Sequence, residues 1–350
     1  MRRTLLMITL TLSLLPNLLF AATVGNVTKM SGDVFFRTGD NLKYISINQG
    51  QALAEGNWVK TGAKGWLELS LSDGSKFTIA NNSELELNSF MVTKKKKEGS
   101  FTLTQGKLRA SVVKLGGQQT DIKVRSRTAV AGIRGTEFLM LSEGPANVFF
   151  GNEGVVKVSG LSEEKAPQLL PGTMTQNTRG FTPLEPVKVE PGTAIAQAKN
   201  AFEAATSTVP PAEWLAADNL SSIIARWNIN YGHYLADSGK HEAALVVFQI
   251  ALDLTKDADI RADARLERGS VYSRFLSNRE AALAEYLLVL EEYSTLKQAE
   301  TALYITGQTL YDLGFKKEAA ARFNEYLKKY PEGKQIGNVE TMLNLLKNEK

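Results

Sequence analysis

The chain has 350 residues, of which 43% are hydrophobic and 22% are charged, a composition that excludes an intrinsically disordered chain and leaves room for two or three domains. It contains no cysteine, which excludes disulfides, thiolate catalysis, cysteine-ligated metals and a lipid-modified N-terminal cysteine. The net charge of +4 is too small to indicate a nucleic-acid partner.

The first residues, 1–22, are predicted to form a secretory signal peptide. Arg2 and Arg3 precede an apolar stretch from Leu5 to Leu15, and the segment ends in the small pair Ala21-Ala22, which is the order of a signal sequence. An uncleaved N-terminal anchor is the alternative, because bulky residues stand just before the small ones. No later apolar run approaches the roughly 20 residues that span a bilayer. We therefore expect an exported protein of the periplasm or cell envelope with no transmembrane helix after the signal peptide.

Residues 23–160 are predicted to form an all-β domain. Leu67, Leu69 and Leu71 alternate with other residues on a strand, and Asp73-Gly74 supplies a tight turn to a returning strand. Glycines recur about once per short strand, which favours a sandwich, a barrel or a flattened β-solenoid. This part carries 18 Lys/Arg against 12 Asp/Glu, and residues 161–350 carry 21 against 25. The asymmetry suggests that the two parts attract each other or different partners.

Residues 161–192 are predicted to be a proline-rich connector. Five of the ten prolines of the chain lie here, and proline resists both helix and central strand because its φ is fixed and it has no backbone donor. An edge strand added to the β domain is the alternative for the first part of this segment.

Residues 193–350 are predicted to be helical and repetitive. Similar patterns of glycine, alanine and aromatic residues recur around Ala244, Ala282 and Ala319, which are 38 and 37 residues apart. The pattern resembles the tetratricopeptide repeat, a pair of packed helices, over three units at about residues 212–335. The resemblance implies an all-α solenoid whose first helices line a concave surface suited to a peptide or an extended protein segment. The implied groove residues are Arg226, His233, Asp237, Asp263, Arg274, Tyr304, Gln308, Tyr311 and Asp312, with packing between neighbouring helices as the alternative for some of them.

The segment Val124–Phe138, which ends in Gly132-Ile133-Arg134-Gly135-Thr136-Glu137-Phe138, resembles the hallmark of the FecR domain. Further matching positions extend the resemblance over about residues 24–180, and they include Thr61-Gly62, Asp73-Gly74-Ser75, Gly106-Lys107-Leu108 and Pro171-Gly172. Ser126-Arg127 stands where the family usually has Thr-Pro. The resemblance implies an exported FecR-like β domain fused to tetratricopeptide-like repeats.

Relatives in iron signalling pass a message from an outer-membrane receptor to a cytoplasmic sigma factor. That role requires a cytoplasmic segment and a transmembrane helix ahead of the FecR domain, whereas here the domain directly follows the predicted signal peptide. We therefore expect that the anti-sigma role does not transfer.

Arg134 and Glu137 are the candidate site residues of the β domain. The first interpretation is an internal ion pair in which Arg134 folds back onto Glu137 and ties the turn together. The alternative is an arginine that faces a ligand.

Catalytic and metal-binding motifs are weak. Ser111-Val112-Val113-Lys114 fits the S-x-x-K pattern of penicillin-binding enzymes, but it lies in β sequence rather than at the start of a helix. His233 and His241 are the only histidines and lack clustered ligands.

Lys94–Lys97 are expected to form a solvated hairpin tip, with contact to anionic lipid or surface polymer as the alternative.

These observations predict a multidomain protein that is not an enzyme and needs no cofactor or metal. We expect an exported binding or scaffold protein whose partner is an envelope protein or peptide segment. The alternatives are a protein that binds peptidoglycan, carbohydrate or another surface polymer, and an extracytoplasmic signalling component related to iron-responsive FecR regulators but without the anti-sigma segment. An envelope hydrolase is a distant third.

Overall fold

The computed structural model describes residues 22–39, 43–114, 116–117, 119–162, 166–207 and 219–348. Apart from Ala22, the predicted signal peptide lies outside these residues. Seventeen strands and eight helices occur in the described part of the chain. Within it, no helix is both long enough and apolar enough to cross a membrane. The predicted fold class, a β domain followed by an α-helical array, is confirmed.

The strands form two sheets that share the long strand β9 (Lys96–Ser111). The first sheet contains, in spatial order, β4 (Ala52–Ala54), β1 (Thr23–Ser31), β6 (Trp66–Leu71), β7 (Lys76–Ile79), β9, β12 (Glu137–Glu143), β13 (Ala146–Glu153), β16 (Thr173–Asn177) and β17 (Val187–Lys188). The second contains β3 (Ile45–Ser46), β2 (Val34–Thr38), β5 (Asn57–Thr61), β8 (Glu84–Val92), β9, β10 (Gln119–Arg125), β11 (Val130–Ile133), β14 (Val156–Ser159) and β15 (Gln168–Leu169). All pairings are antiparallel except β9 with β10.

The two sheets enclose one hydrophobic core, so this part is a β-sandwich. Alternate residues of each strand point inward, among them the predicted row Leu67, Leu69 and Leu71. The predicted hairpin between β6 and β7 is present, and Gly74 lies at its turn with a positive φ of 86° that favours glycine. Three short strands, β15, β16 and β17, fall within the proline-rich residues 161–192. The domain boundaries themselves remain predictions.

The lysine run at the β8–β9 hairpin departs from its predicted role. Lys94 and Lys95 are exposed, as expected for a solvated tip. Lys97, however, is fully buried and forms an ion pair with buried Asp73. Its Nζ also donates to Ser75 Oγ and to the Val113 carbonyl oxygen, at 3.1 and 3.0 Å. The prediction was wrong for Lys97, because the strand alternation that begins at Lys96 turns the next side chain inward.

The helices follow as α1 (Ala194–Ala205), α2 (Leu220–Asp237), α3 (His241–Leu254), α4 (Ala258–Arg274), α5 (Arg279–Glu292), α6 (Gln298–Asp312), α7 (Lys316–Lys329) and α8 (Ile336–Asn348). Side-chain oxygens of Thr193, Asp257 and Asn278 cap α1, α4 and α5, respectively, which satisfies backbone donors that a helix start leaves unpaired. Helices α2 to α7 form three consecutive hairpins.

The β-sandwich and the helices share a second core. Strand β12 is buried on both faces, because Phe138 and Met140 point into the sandwich while Leu139 and Leu141 point toward the helices. Phe150 of β13 meets Phe202 of α1 edge to face, with ring centroids 6.4 Å apart. The second sheet, the first sheet and the helices therefore form three successive layers. The helical array is packed onto the sandwich and is not tethered by a free linker.

Polar contacts cross the same boundary. Gln176 of β16 and Asn228 of α2 are buried, and their amides exchange hydrogen bonds of 2.7 and 3.1 Å. Asp253 of α3 accepts hydrogen bonds from Thr178 Oγ1 and from two nitrogens of Arg179, at 2.6 to 2.7 Å. These bonds pair polar groups that would otherwise be costly to bury.

Candidate functional site

In each helical hairpin, a glycine of the first helix packs directly against an aromatic ring of the second helix. A Cβ atom on Gly232 would lie 2.5 Å from the Phe248 ring. The corresponding distances are 2.2 Å from Gly269 to Tyr286 and 2.6 Å from Gly307 to Phe323. Real Cβ atoms do not approach so closely, so glycine lets the two helices of each hairpin meet. The same contact in three successive hairpins makes this region tetratricopeptide-like.

The first helices of the three hairpins, α2, α4 and α6, line a groove of about 700 Å³. Six of the predicted site residues lie in it: His233, Asp237, Arg274, Gln308, Tyr311 and Asp312. Several groove residues were missed from sequence, namely Glu267, Ser270, Phe275, Tyr286 and Met342. Glu267 and Ser270 could have been found, because Asp263, Glu267, Ser270 and Arg274 recur at helical spacing on one face of α4.

Glu267 is a carboxyl group in the middle of the groove whose pKa departs from its ordinary value. Burial raises its pKa, and the charge of Asp263 adds to the rise, whereas His233 and Arg274 oppose it. Its Oε2 lies 3.4 Å from His233 Nδ1. Burial, followed by the nearby Glu267 charge, also raises the pKa of Tyr286 to about 12. The middle of the groove thus holds a partly desolvated acid beside a phenol that stays protonated.

The rim of the groove carries further charges. Asp312 Oδ2 lies 3.5 Å from Arg279 Nε of α5, and both side chains are about half exposed. Exposed pairs of this kind contribute little to stability, about 0–1 kcal/mol. These two side chains can therefore separate at low cost when another charged group approaches.

Three predicted groove residues lie outside the groove. Arg226 Nη1 pairs with Asp263 Oδ2 at 2.5 Å, and Gln298 Nε2 donates to Asp263 Oδ1 at 2.8 Å. These contacts join the first helices of successive hairpins. The Tyr304 ring packs near Phe323 and Tyr326, with centroids 6.5 and 6.3 Å away, and its hydroxyl accepts a 2.7 Å hydrogen bond from Gln308 Nε2.

In the β domain, the predicted pair between Arg134 and Glu137 is wrong. Glu137 instead accepts a 2.6 Å hydrogen bond from Arg109 Nη2 and a 3.1 Å bond from Asn152 Nδ2. The reason is the start of β12 at Glu137, which places this side chain opposite β9 and β13. Arg134 is exposed and lines a separate cavity on the second sheet.

Among the described residues, no three His, Cys, Asp or Glu side chains converge as a metal site. Ser111 ends β9, and the described part of the chain places no histidine beside it. The charged groove and the cavity beside Arg134 are therefore the candidate sites, and both consist of surface side chains suited to binding.

The model of the FecR protein family matches residues 57–157. This segment is FecR-like. It comprises β5 to β13 and the beginning of β14, and it includes the hallmark around Arg134. The chain thus combines a FecR-like domain with tetratricopeptide-like repeats. No curated protein matches the sequence.

Solved structures similar to the chain fall into two groups. A putative anti-sigma factor from Parabacteroides distasonis is 17% identical over 41% of this chain, with a TM-score of 0.33, and the chain spans 63% of that protein's length. The Yersinia enterocolitica type III secretion chaperone SycD, in complex with a peptide of the translocator YopD, is 18% identical over 35% of this chain and 92% of its own, with a TM-score of 0.30. The second TPR domain of human RPAP3, in complex with an HSP70 peptide, is 20% identical over 36% of this chain and 98% of its own, with a TM-score of 0.31. At these scores the fold assignment depends on the packing described above.

Proposed function

We propose that this protein is an exported, non-enzymatic scaffold that holds an extended segment of a partner protein in the groove of its helical hairpins. The observation that carries the proposal is the groove itself, which runs across α2, α4 and α6 and combines aromatic, apolar and charged side chains. Such a mixture suits a polypeptide, which offers both apolar side chains and polar groups.

The charges of the groove favour a partner segment that carries a cation. Three carboxyl groups, those of Asp237, Glu267 and Asp312, line the groove, and Arg274 is the one arginine among its described lining residues. The raised pKa of Glu267 reflects an acid that burial has deprived of water, and a lysine or arginine of the partner would compensate for that loss. The FecR domain would remain free to contact a second partner.

Export is part of the same proposal. It is supported by the signal-peptide pattern of residues 1–22 and by the match of residues 57–157 to the FecR family. The anti-sigma role of iron-responsive relatives is not part of this proposal.

The proposal is tested by photo-crosslinking in intact cells. A photoreactive amino acid replaces Thr301, which is exposed and lines the groove, or Glu291, which is exposed on the second helix of a hairpin. We expect a defined adduct from position 301, none from position 291, and loss of the adduct when Ser270→Arg fills the groove. Equal adducts from both positions, or an adduct that survives Ser270→Arg, would contradict the proposal.

A further inference from the structure

The FecR hallmark builds a cavity on the outer face of the second sheet. The cavity has a volume of about 730 Å³. It lies over β10, β11 and β14, and none of its described lining residues belongs to a helix, so it is separate from the proposed groove. Its charged lining residues are Lys114, Asp121, Lys123, Arg134 and Lys157.

The centre of the cavity is a rung of three residues on neighbouring strands. Lys123 pairs with Gly132, and Gly132 pairs with Lys157. Their neighbours Ile122, Ile133 and Val156 point into the core, so the rung faces outward. Two interstrand steps separate the lysine backbones by about 9–10 Å, and the glycine between them leaves that interval open.

Glycine at position 132 is not required by the fold. A Cβ atom there would meet nothing closer than 3.8 Å, and the residue has no left-handed φ. Glycine weakens a strand, so its presence is otherwise unexplained. A glycine there leaves the cavity open between Lys123 and Lys157, which accounts for its presence.

Gly135 has the opposite character. Its φ is 65°, and a Cβ atom would lie 2.5 Å from Lys114 Cβ. The absence of a side chain lets the stem of Lys114 lie against the turn, next to Arg134. The two glycines of the hallmark therefore have different roles: Gly132 leaves space between two lysines, and Gly135 lets Lys114 pack against the turn that follows Arg134.

The cavity is strongly positive. Among the described residues that line it are four cations and one acid, and that acid, Asp121, lies 3.6 Å from Lys123. Within the described residues, Lys114, Arg134 and Lys157 form no ion pair. A set of like charges at this density is unfavourable without a counter-charge.

We propose that this face of the FecR domain binds an acidic polypeptide segment of a partner protein. The planar guanidinium of Arg134 can donate two parallel hydrogen bonds to one carboxylate. Lys123 and Lys157 can each pair with a further carboxylate. Exposed Val155 provides apolar contact for a side chain between the acids. None of the described residues that line the cavity is aromatic, so they offer no ring on which a sugar would stack.

Recognition here uses side chains rather than addition of a strand. Each of β10, β11 and β14 has a neighbouring strand on both sides, so none of them is an edge strand of the sheet.

The test is fluorescence polarisation of fluorescein-labelled hexaglutamate with the full-length chain at low salt. We expect saturable binding that Lys157→Glu weakens by about tenfold, since a like charge then replaces an attractive one at the site. The matched control is Lys95→Glu, the same charge change at an exposed lysine of the β8–β9 hairpin, which should leave the affinity unchanged.

A second variant tests, without a change of charge, whether binding requires the space that Gly132 leaves between Lys123 and Lys157. A Cβ atom at position 132 would meet nothing closer than 3.8 Å, so we expect Gly132→Leu to retain the thermal stability of the parent chain and still weaken hexaglutamate binding several-fold. The proposal is overturned if the parent chain does not bind hexaglutamate, or if Lys95→Glu weakens binding as much as Lys157→Glu. It is also overturned if Gly132→Leu binds normally, or if polygalacturonate, an acidic glycan, binds this face more tightly than hexaglutamate.

Discussion

At the scale of single residues, Glu267 shows how burial and charge act on one group. The carboxyl lies between His233, Arg274, Asp263 and Tyr286, and burial is the largest cause of its raised pKa. A carboxyl whose pKa is higher in the folded state binds its proton more tightly there than in the unfolded chain. Folding is therefore favoured by this group at low pH, and that contribution is lost as the pH rises through the raised pKa.

Glu267→Gln should consequently stabilise the protein most at a pH above the raised pKa of Glu267, where the native glutamate is charged and partly desolvated. We expect the gain in free energy of unfolding to shrink as the pH falls through the raised pKa of Glu267 toward the ordinary range of glutamate. Urea unfolding at several pH values measures this. Glu291→Gln, at an exposed position, is the control, and a gain that does not depend on pH would contradict the assignment.

At the scale of elements, the helical hairpins depend on contacts between a glycine and an aromatic ring, and the sequence pattern predicts these contacts. Gly232, Gly269 and Gly307 and their aromatic partners could be paired from sequence because the intervals between them repeat, and the structure places each pair in contact. The β-strands were similarly visible through alternation and glycine spacing. The repeat pattern gave six groove residues, whereas Arg226, Asp263 and Tyr304 were turned toward other helices by interhelical packing that a single helix does not encode.

Gly307→Ala should lower the free energy of unfolding by about 1–2 kcal/mol, because overpacking against Phe323 outweighs the better helix propensity of alanine. Gly337→Ala is the matched control. Gly337 is also helical, but a Cβ atom there would meet nothing within 4 Å, so this change should be neutral or slightly stabilising. Chemical denaturation compares the two variants, and equal effects would show that the glycine-to-ring contact is not close.

At the scale of the whole molecule, the sandwich and the helices are one packed body. The packing of the helices onto the sandwich could not be predicted from sequence. The residue pattern of β12 and β13 indicates only buried strands, and it does not specify which element covers their second face. The prolines of residues 161–192 indicated a connector, but the chain there also supplies β16, whose Met174 and Gln176 contact the helical layer. The position of Arg134 was likewise hidden, because the partner of Glu137 comes from a distant strand.

A shared core predicts that both regions unfold together. Gln176→Leu leaves the Asn228 amide buried and unpaired, which should cost about 1–3 kcal/mol. Circular dichroism of the helices and of the sheet should shift by the same amount in one transition. Adding Asn228→Leu should recover much of the loss, because both partners are then apolar. Two separate transitions, with only one moved by Gln176→Leu, would show that the regions fold independently.

The face of β12 and β13 that Leu139, Leu141 and Phe150 present to the helices also limits how freely the two halves can be exchanged. A FecR domain from another protein would accept these repeats only if its own sheet offered a matching apolar surface, and the repeats alone would carry an uncovered flank prone to self-association. Chimeras and truncations of this chain should therefore be cut outside residues 139–254, so that both sides of the contact stay together.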